Sequence, residues 1–147
     1  MGNYDRTNDI LRINICFLYF AFEKINQPLQ VEYFLLHEIR HKYQFLEIAK
    51  YQNGSETETD VERIKRWMQE LGNYTRPMEG HDKDYHRQDL EMDAYAFAYA
   101  VMTYKYGSVP YLSPPPYYGK EFFDMVDDWH RSFSEKGLPR FSPHQNN

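Results

Sequence analysis

The sequence of 147 residues contains a single cysteine, Cys16, and therefore cannot form an intramolecular disulfide. A chain without disulfides is typical of a reducing compartment, so we expect a cytoplasmic protein. No apolar run reaches the roughly 18–20 residues that a membrane-spanning helix requires. The apolar stretch of residues 10–22 is interrupted by Arg12 and Asn14, which also argues against a secretory signal peptide.

Basic residues are fewer than acidic ones, with 17 Lys and Arg against 22 Asp and Glu and a formal net charge of −5. Nucleic-acid phosphates are bound by basic surfaces, so we expect no direct nucleic-acid partner. With 41% hydrophobic and 27% charged residues, the composition is that of a globular protein. The length and the lack of repeats or long polar linkers predict one domain over residues 1–147, with a flexible tail from about residue 137.

Hydrophobic periodicity predicts a mainly helical α+β domain, in which a small N-terminal strand element packs beside about five helices. The alternation of Leu11, Ile13 and Ile15 predicts a strand within residues 9–16, which can pair with residues 2–6 as a hairpin. Helices are predicted over residues 17–26, 29–51, 58–71, 86–106 and 119–134. Asp60 or Thr59 can cap the third of these. Residues 72–85 are predicted to be a loop, and residues 107–118 a proline-stiffened, extended connection.

One short motif carries potential chemistry. Residues 37–41 read His-Glu-Ile-Arg-His, which places His37 and His41 one turn apart on the same face of a helix. Two imidazoles at this spacing can converge on one cation, and Glu38 between them can reach a water molecule at that cation. This is the His-Glu-x-x-His pattern of zinc peptidases.

A catalytic zinc site needs a third protein ligand and an open position. Glu91 is the best candidate, because it lies 50 residues past His41 on a helix that is otherwise apolar, where a buried carboxylate needs a cation or donors. Asp93, two residues later, points about 200° away around the helix. It either orders a histidine or Arg40 from behind the site, or is itself the ligand with Glu91 in support.

These residues resemble the ImmA/IrrE-type metallopeptidases, a bacterial and phage family of gluzincin-like enzymes. The resemblance rests on His37-Glu38-x-x-His41 and on Glu91-x-Asp93-Ala94-x-x-Phe97-Ala98. It implies a zincin-like fold, a Zn²⁺ cofactor, Glu91 as the third ligand, and protein or peptide substrates. Members of that family often cleave DNA-binding repressors of mobile elements, so the resemblance also implies an association with phages or mobile elements.

We therefore expect a zinc metallopeptidase in which Glu38 is the general base that takes a proton from water and passes it to the leaving amine. A donor should stabilise the developing oxyanion, and His86, Tyr85 and Tyr95 are the candidates. Two alternatives remain open. The chain is a catalytically inactive protein that keeps zinc, or a metal-free helical interaction module that uses the proline-rich loop 107–118.

Overall fold

The computed structural model describes residues 2–19, 21, 28–76, 82–108, 112, 114 and 116–140. Two strands come first, β1 (Gly2–Asp5) and β2 (Ile10–Ile13). The helical segments that follow are α1 (Ile15–Tyr19), α2 (Pro28–Gln52), α3 (Val61–Gly72), α4 (Asp82–His86), α5 (Asp89–Tyr106) and α6 (Lys120–Glu135). The prediction of a mainly helical α+β chain with a small N-terminal strand element is confirmed. Within the described ranges, no helix combines the length and the apolar character needed to cross a membrane.

The two strands form an antiparallel hairpin, as predicted, with Tyr4 opposite Leu11 in the register. Its turn is held by Asp5, whose carboxylate accepts hydrogen bonds from the backbone amides of Thr7 and Asn8 at 3.1 and 3.2 Å. The edge of β1 that is not paired with β2 lies along α2, so the hairpin covers one side of that helix.

Helix α5 is the centre of the fold and is sandwiched between α2 and α6. Four fully buried alanines let its neighbours approach closely, and they recur at every second position: Ala94, Ala96, Ala98 and Ala100. On one side, Ala98 belongs to a core cluster with Tyr33 of α2. On the other side, Ala96 and Ala100 pack in a cluster with Phe122 of α6. The predicted buried helix is therefore present and carries the core on both of its sides.

Helix α3 completes the core and is fixed at both ends by carboxylates. At its start, Asp60 caps the helix by accepting hydrogen bonds from the amides of Glu62 and Arg63, as the sequence predicts. Near its end, the Glu70 carboxylate accepts hydrogen bonds from the amides of Asp89 and Leu90 at 2.7 and 2.9 Å. Those amides are the first of α5, so a residue of α3 caps α5 and fixes where that helix begins.

The structure differs from the sequence predictions in the segment before α5. The loop predicted over residues 72–85 is wrong at its end, where α4 occupies Asp82–His86. The helix predicted from residue 86 begins at Asp89, because Gln88 turns its side chain back to the backbone of Thr75 and Tyr85. Parts of three other predictions, the 17–26 helix, the 107–118 connection and the tail, lie outside the described residues.

Candidate metal centre

The two histidines of the motif lie on the face of α2 that meets α5. His37 is buried and His41 is largely buried, and their Nε2 atoms are 3.0 Å apart. The rings lie edge to face with centroids 4.5 Å apart, so both imidazoles direct the same nitrogen into one small space. This convergence follows from the four-residue spacing on a regular helix.

Glu91 reaches the same space from the first turn of α5. Its side chain is 1% exposed, its Oε2 lies 3.4 Å from Nε2 of His37, and its Oε1 lies 3.5 Å from Nε2 of His41. The three residues form a group whose ligand atoms all lie within 4.8 Å of one another. The capping of α5 by Glu70 sets this geometry, because it fixes the helix start two residues before Glu91.

The separations of these ligand atoms fit a zinc ion. With zinc–ligand bonds of about 2.0–2.1 Å, two ligand atoms of a tetrahedral site lie about 3.3 Å apart. The two Nε2 atoms are 3.0 Å apart, and each has a Glu91 oxygen nearby, Oε2 at 3.4 Å for His37 and Oε1 at 3.5 Å for His41. The donor set of two imidazoles and one carboxylate is also one that zinc accepts in catalytic sites. The group could therefore hold a metal ion.

The charge states of the three residues depend on one another. Burial lowers the pKa of His37, which favours the neutral imidazole that a metal requires. Burial also opposes a charge on His41, but hydrogen bonds with Glu91 and Gln44 outweigh it and raise the pKa of His41. Burial alone would raise the pKa of Glu91 as well, yet the two imidazoles lower it far below its ordinary value. Glu91 is therefore a carboxylate.

Two tyrosines also hold the Glu91 carboxylate. The hydroxyl of Tyr74 donates to Oε1 at 2.5 Å, and the hydroxyl of Tyr85 donates to Oε2 at 2.6 Å. Burial raises the pKa of both phenols, and the nearby Glu91 charge raises it further, so both remain protonated donors. Each carboxylate oxygen therefore has one phenol donor, which fixes its orientation toward the histidines.

Glu38 lies beside the three converging groups, at the wall of a cleft with a volume of about 240 Å³. Its Oε2 accepts a hydrogen bond of 2.9 Å from the backbone amide of Tyr4, at the free edge of β1. The hairpin is fastened to α2 on this side, because Tyr4 stacks on Phe45 and Lys42 pairs with Asp9 at 2.7 Å. Aromatic and aliphatic side chains line the rest of the cleft: Tyr4, Phe45, Leu71, Tyr74, Tyr85 and Leu90.

Asp93 points away from the three converging groups and binds Arg40 instead. Its carboxylate oxygens lie 2.8 Å from Nε and 3.2 Å from Nη2 of Arg40, and the Arg63 guanidinium lies 3.3 Å away. The Arg40 guanidinium is in turn surrounded by aromatic rings, with Tyr43 at 4.4 Å and Trp129 at 4.8 Å. Asp93 is therefore placed as a partner of Arg40, and Glu91 alone of the two acids faces the histidines.

His86 lies at the end of α4, and the structure does not place it in the wall of the cleft. Its ring packs beside Tyr85 and Tyr95, with centroids 4.9 and 5.2 Å away. Burial lowers its pKa, which favours the neutral ring. Of the three oxyanion candidates, Tyr85 lines the cleft, whereas the tilted ring of Tyr95 packs against His37 at a centroid distance of 4.2 Å. A catalytic role for His86 stays a prediction.

Sequence reasoning missed three contributors to this centre: Tyr74, Tyr4 and Gln44. Tyr74 lies in an irregular segment 17 residues before Glu91, and Tyr4 contributes a backbone amide, which no residue pattern reveals. Gln44 bonds to His41 and falls three residues after it on α2. That spacing was the one available signal, because residues at i and i+3 share a helix face.

Comparison of the chain with protein-family models, with curated proteins and with solved structures gave no match. The zincin-like fold and the resemblance to the ImmA/IrrE-type metallopeptidases therefore stay predictions.

Proposed function

We propose that this protein is a zinc-dependent metallopeptidase in which His37, His41 and Glu91 bind Zn²⁺ and Glu38 is the general base. The observation that carries the proposal is the convergence of two imidazole nitrogens and one carboxylate at 3.0–3.5 Å from one another, next to an open cleft. Buried groups of this kind are costly without a cation between them, and a bound metal offsets that cost.

The chemistry then divides between the metal and the chain. A zinc ion with three protein ligands supplies a Lewis acid that polarises a peptide carbonyl and lowers the pKa of water. Glu38 is the residue that takes the proton from water and delivers it to the leaving amine. One oxygen of its carboxylate accepts the Tyr4 amide, which leaves the other oxygen for proton transfer.

The phenol hydroxyls of Tyr74 and Tyr85 are candidate donors to a bound substrate. Both side chains line the cleft, and both hydroxyls already point at the Glu91 carboxylate. A phenol that turns its single hydrogen from Glu91 to a bound peptide can stabilise the negative charge that develops on the carbonyl oxygen. We assign this role to Tyr85 first, because it combines the cleft position with the stronger burial of its phenol.

The cleft is a suitable place for a protein or peptide substrate. Its aromatic and aliphatic lining can bury apolar side chains of an extended chain, while Glu38 and the histidines lie at its wall. A cytoplasmic location and an association with phages or mobile elements belong to the same proposal, since they rest on the single cysteine and on the family resemblance.

Elemental analysis of four purified proteins tests the metal assignment. We expect one zinc per chain in the wild type and in Glu38→Gln, and loss of zinc in Glu91→Ala, because Glu91 is the only one of the substituted residues that supplies a ligand atom. Glu62→Ala, which removes an exposed acid of α3, is the matched control and should keep its zinc. Full zinc in Glu91→Ala would refute the ligand assignment.

Cleavage of a peptide library tests the catalytic assignment on the same proteins. The wild type should cleave and Glu38→Gln should not, although it keeps its metal. Stoichiometric zinc without cleavage by the wild type would instead support an inactive zinc-binding protein.

A further inference from the structure

Gln44 is a fully buried polar side chain that lies between His41 and α5. Its Oε1 is 2.8 Å from Nδ1 of His41. Its Nε2 donates to the backbone carbonyl oxygen of Leu90 at 3.0 Å and to Oδ2 of Asp93 at 2.8 Å. The side chain is 0% exposed, so these three hydrogen bonds take the place of water.

We propose that Gln44 is a positioning residue that sets the tautomer of His41 for metal binding, an inference that rests on the proposed zinc site. The neighbours of Gln44 fix the orientation of its amide. The Leu90 carbonyl oxygen can only accept a hydrogen bond, and the Asp93 carboxylate held by Arg40 acts as an acceptor. The group of Gln44 that faces both of them must therefore be its NH₂.

The orientation of the amide decides the proton on His41. With its NH₂ toward α5, Gln44 presents its carbonyl oxygen to Nδ1 of His41, and an oxygen of this kind accepts only. Nδ1 must then carry the hydrogen. In the neutral ring this leaves the lone pair on Nε2, the atom that faces His37 and Glu91. When the ring is neutral, Gln44 thus keeps the lone pair of His41 on the nitrogen that would bind the metal.

His37 provides the internal comparison. Its Nδ1 is buried and has no hydrogen-bond partner within the described part of the chain, so nothing there holds the ring from its outer nitrogen. The two ligands are therefore unequal: His41 is preset through Gln44 and Asp93, whereas His37 has no corresponding support. An outer partner that fixes a histidine ligand typically changes metal affinity by about 10–100-fold.

The proposal predicts two measurable effects of Gln44→Met, which keeps the length of the side chain and removes its hydrogen bonds. Zinc affinity, measured by competition with a chromophoric chelator, should fall by about 10–100-fold. The matched control is Glu47→Met, since Glu47 is equally buried on α2 and also makes three hydrogen bonds, but none to a residue of the metal centre. It should leave zinc affinity unchanged.

Long-range ¹H–¹⁵N NMR of the zinc-free protein at alkaline pH reads the tautomer directly. We expect His41 to be protonated at Nδ1 in the wild type and to lose this preference in Gln44→Met. Protonation at Nε2 in the wild type would overturn the proposal, and this result needs no variant that must fold. Unchanged zinc affinity and tautomer in a folded Gln44→Met would also overturn it.

The two readouts separate this inference from the proposed function. A wild type that binds no zinc contradicts the metallopeptidase, whereas a His41 tautomer that depends on Gln44 still supports the positioning role.

Discussion

The ion pair between Arg40 and Asp93 gives the sharpest test of how this fold is stabilised. Both side chains are buried, and the guanidinium makes two hydrogen bonds to the carboxylate between α2 and α5. We predict that Arg40→Met destabilises the protein strongly, because it leaves the Asp93 charge in the interior without its main partner. Replacing both residues by apolar ones should be much less harmful.

The structure sets the size of the effect. Removing one partner of a buried pair typically costs about 3–5 kcal/mol. Arg63 lies 3.3 Å from Asp93 and remains as a second cation, so we expect about 3 kcal/mol for Arg40→Met, the lower end of that range. In the double variant Arg40→Met/Asp93→Leu no unpaired carboxylate remains. Its main loss is the hydrogen bond from Gln44, about 1 kcal/mol.

Urea denaturation of the metal-free proteins measures these differences, because bound zinc would add its own stabilisation. Tryptophan fluorescence is a suitable signal, since both tryptophans, Trp67 and Trp129, lie within 6.0 Å of the Arg40 guanidinium. A loss of less than about 1 kcal/mol in the free energy of unfolding of Arg40→Met would refute the role of the ion pair, as would a double variant that is less stable than the single one.

Two further predictions concern the carboxylates that connect helices. Burial would raise the pKa of Glu47, but hydrogen bonds from Lys50 and from the amides of Thr59 and Glu58 lower it. Glu47→Gln should therefore cost roughly 1–2 kcal/mol at neutral pH. Because the lowered pKa belongs to the folded state, this gap should shrink below about pH 4.3, the unfolded value, and close at still lower pH in urea titrations. Glu70→Ala removes the cap of α5 and should cost about 1–2 kcal/mol in thermal unfolding followed by circular dichroism; no loss would contradict the capping role.

The periodic parts of the fold were predictable from the sequence. The helices α2, α5 and α6 are long enough to show several apolar positions at helical spacing, and Asp60 is a recognisable N-cap. Helix α4 was not predictable, because five residues offer too few positions for a periodic pattern. Its start is also polar, and its position depends on the neighbouring Gln88 contacts rather than on an apolar face.

The candidate site was predictable to the extent that its signals are local. His37 and His41 share a helix face, and Glu91 is conspicuous as an acid in an apolar helix. The contacts that orient them are not local: Gln44 donates hydrogen bonds to Leu90 and Asp93 of α5, which lie 46 and 49 positions further along the chain. These contacts depend on which side of α5 faces α2. That orientation is set by the packing of the whole core and not by the local sequence.

The two acids of α5 show how stability and chemistry share one interface. Glu91 and Asp93 lie two residues apart, so they point to different sides of the helix, one to the histidines and the other to Arg40. The Arg40 pair fixes the rotation of α5 against α2, and that rotation brings Glu91 to the histidines. Asp93 binds Arg40 and therefore contributes to the candidate site indirectly. It helps to place Glu91, and it accepts a hydrogen bond from Gln44. Variants of Asp93 should weaken metal binding even though its carboxylate binds Arg40 and does not face the histidines, which is why Glu91 must be tested beside it.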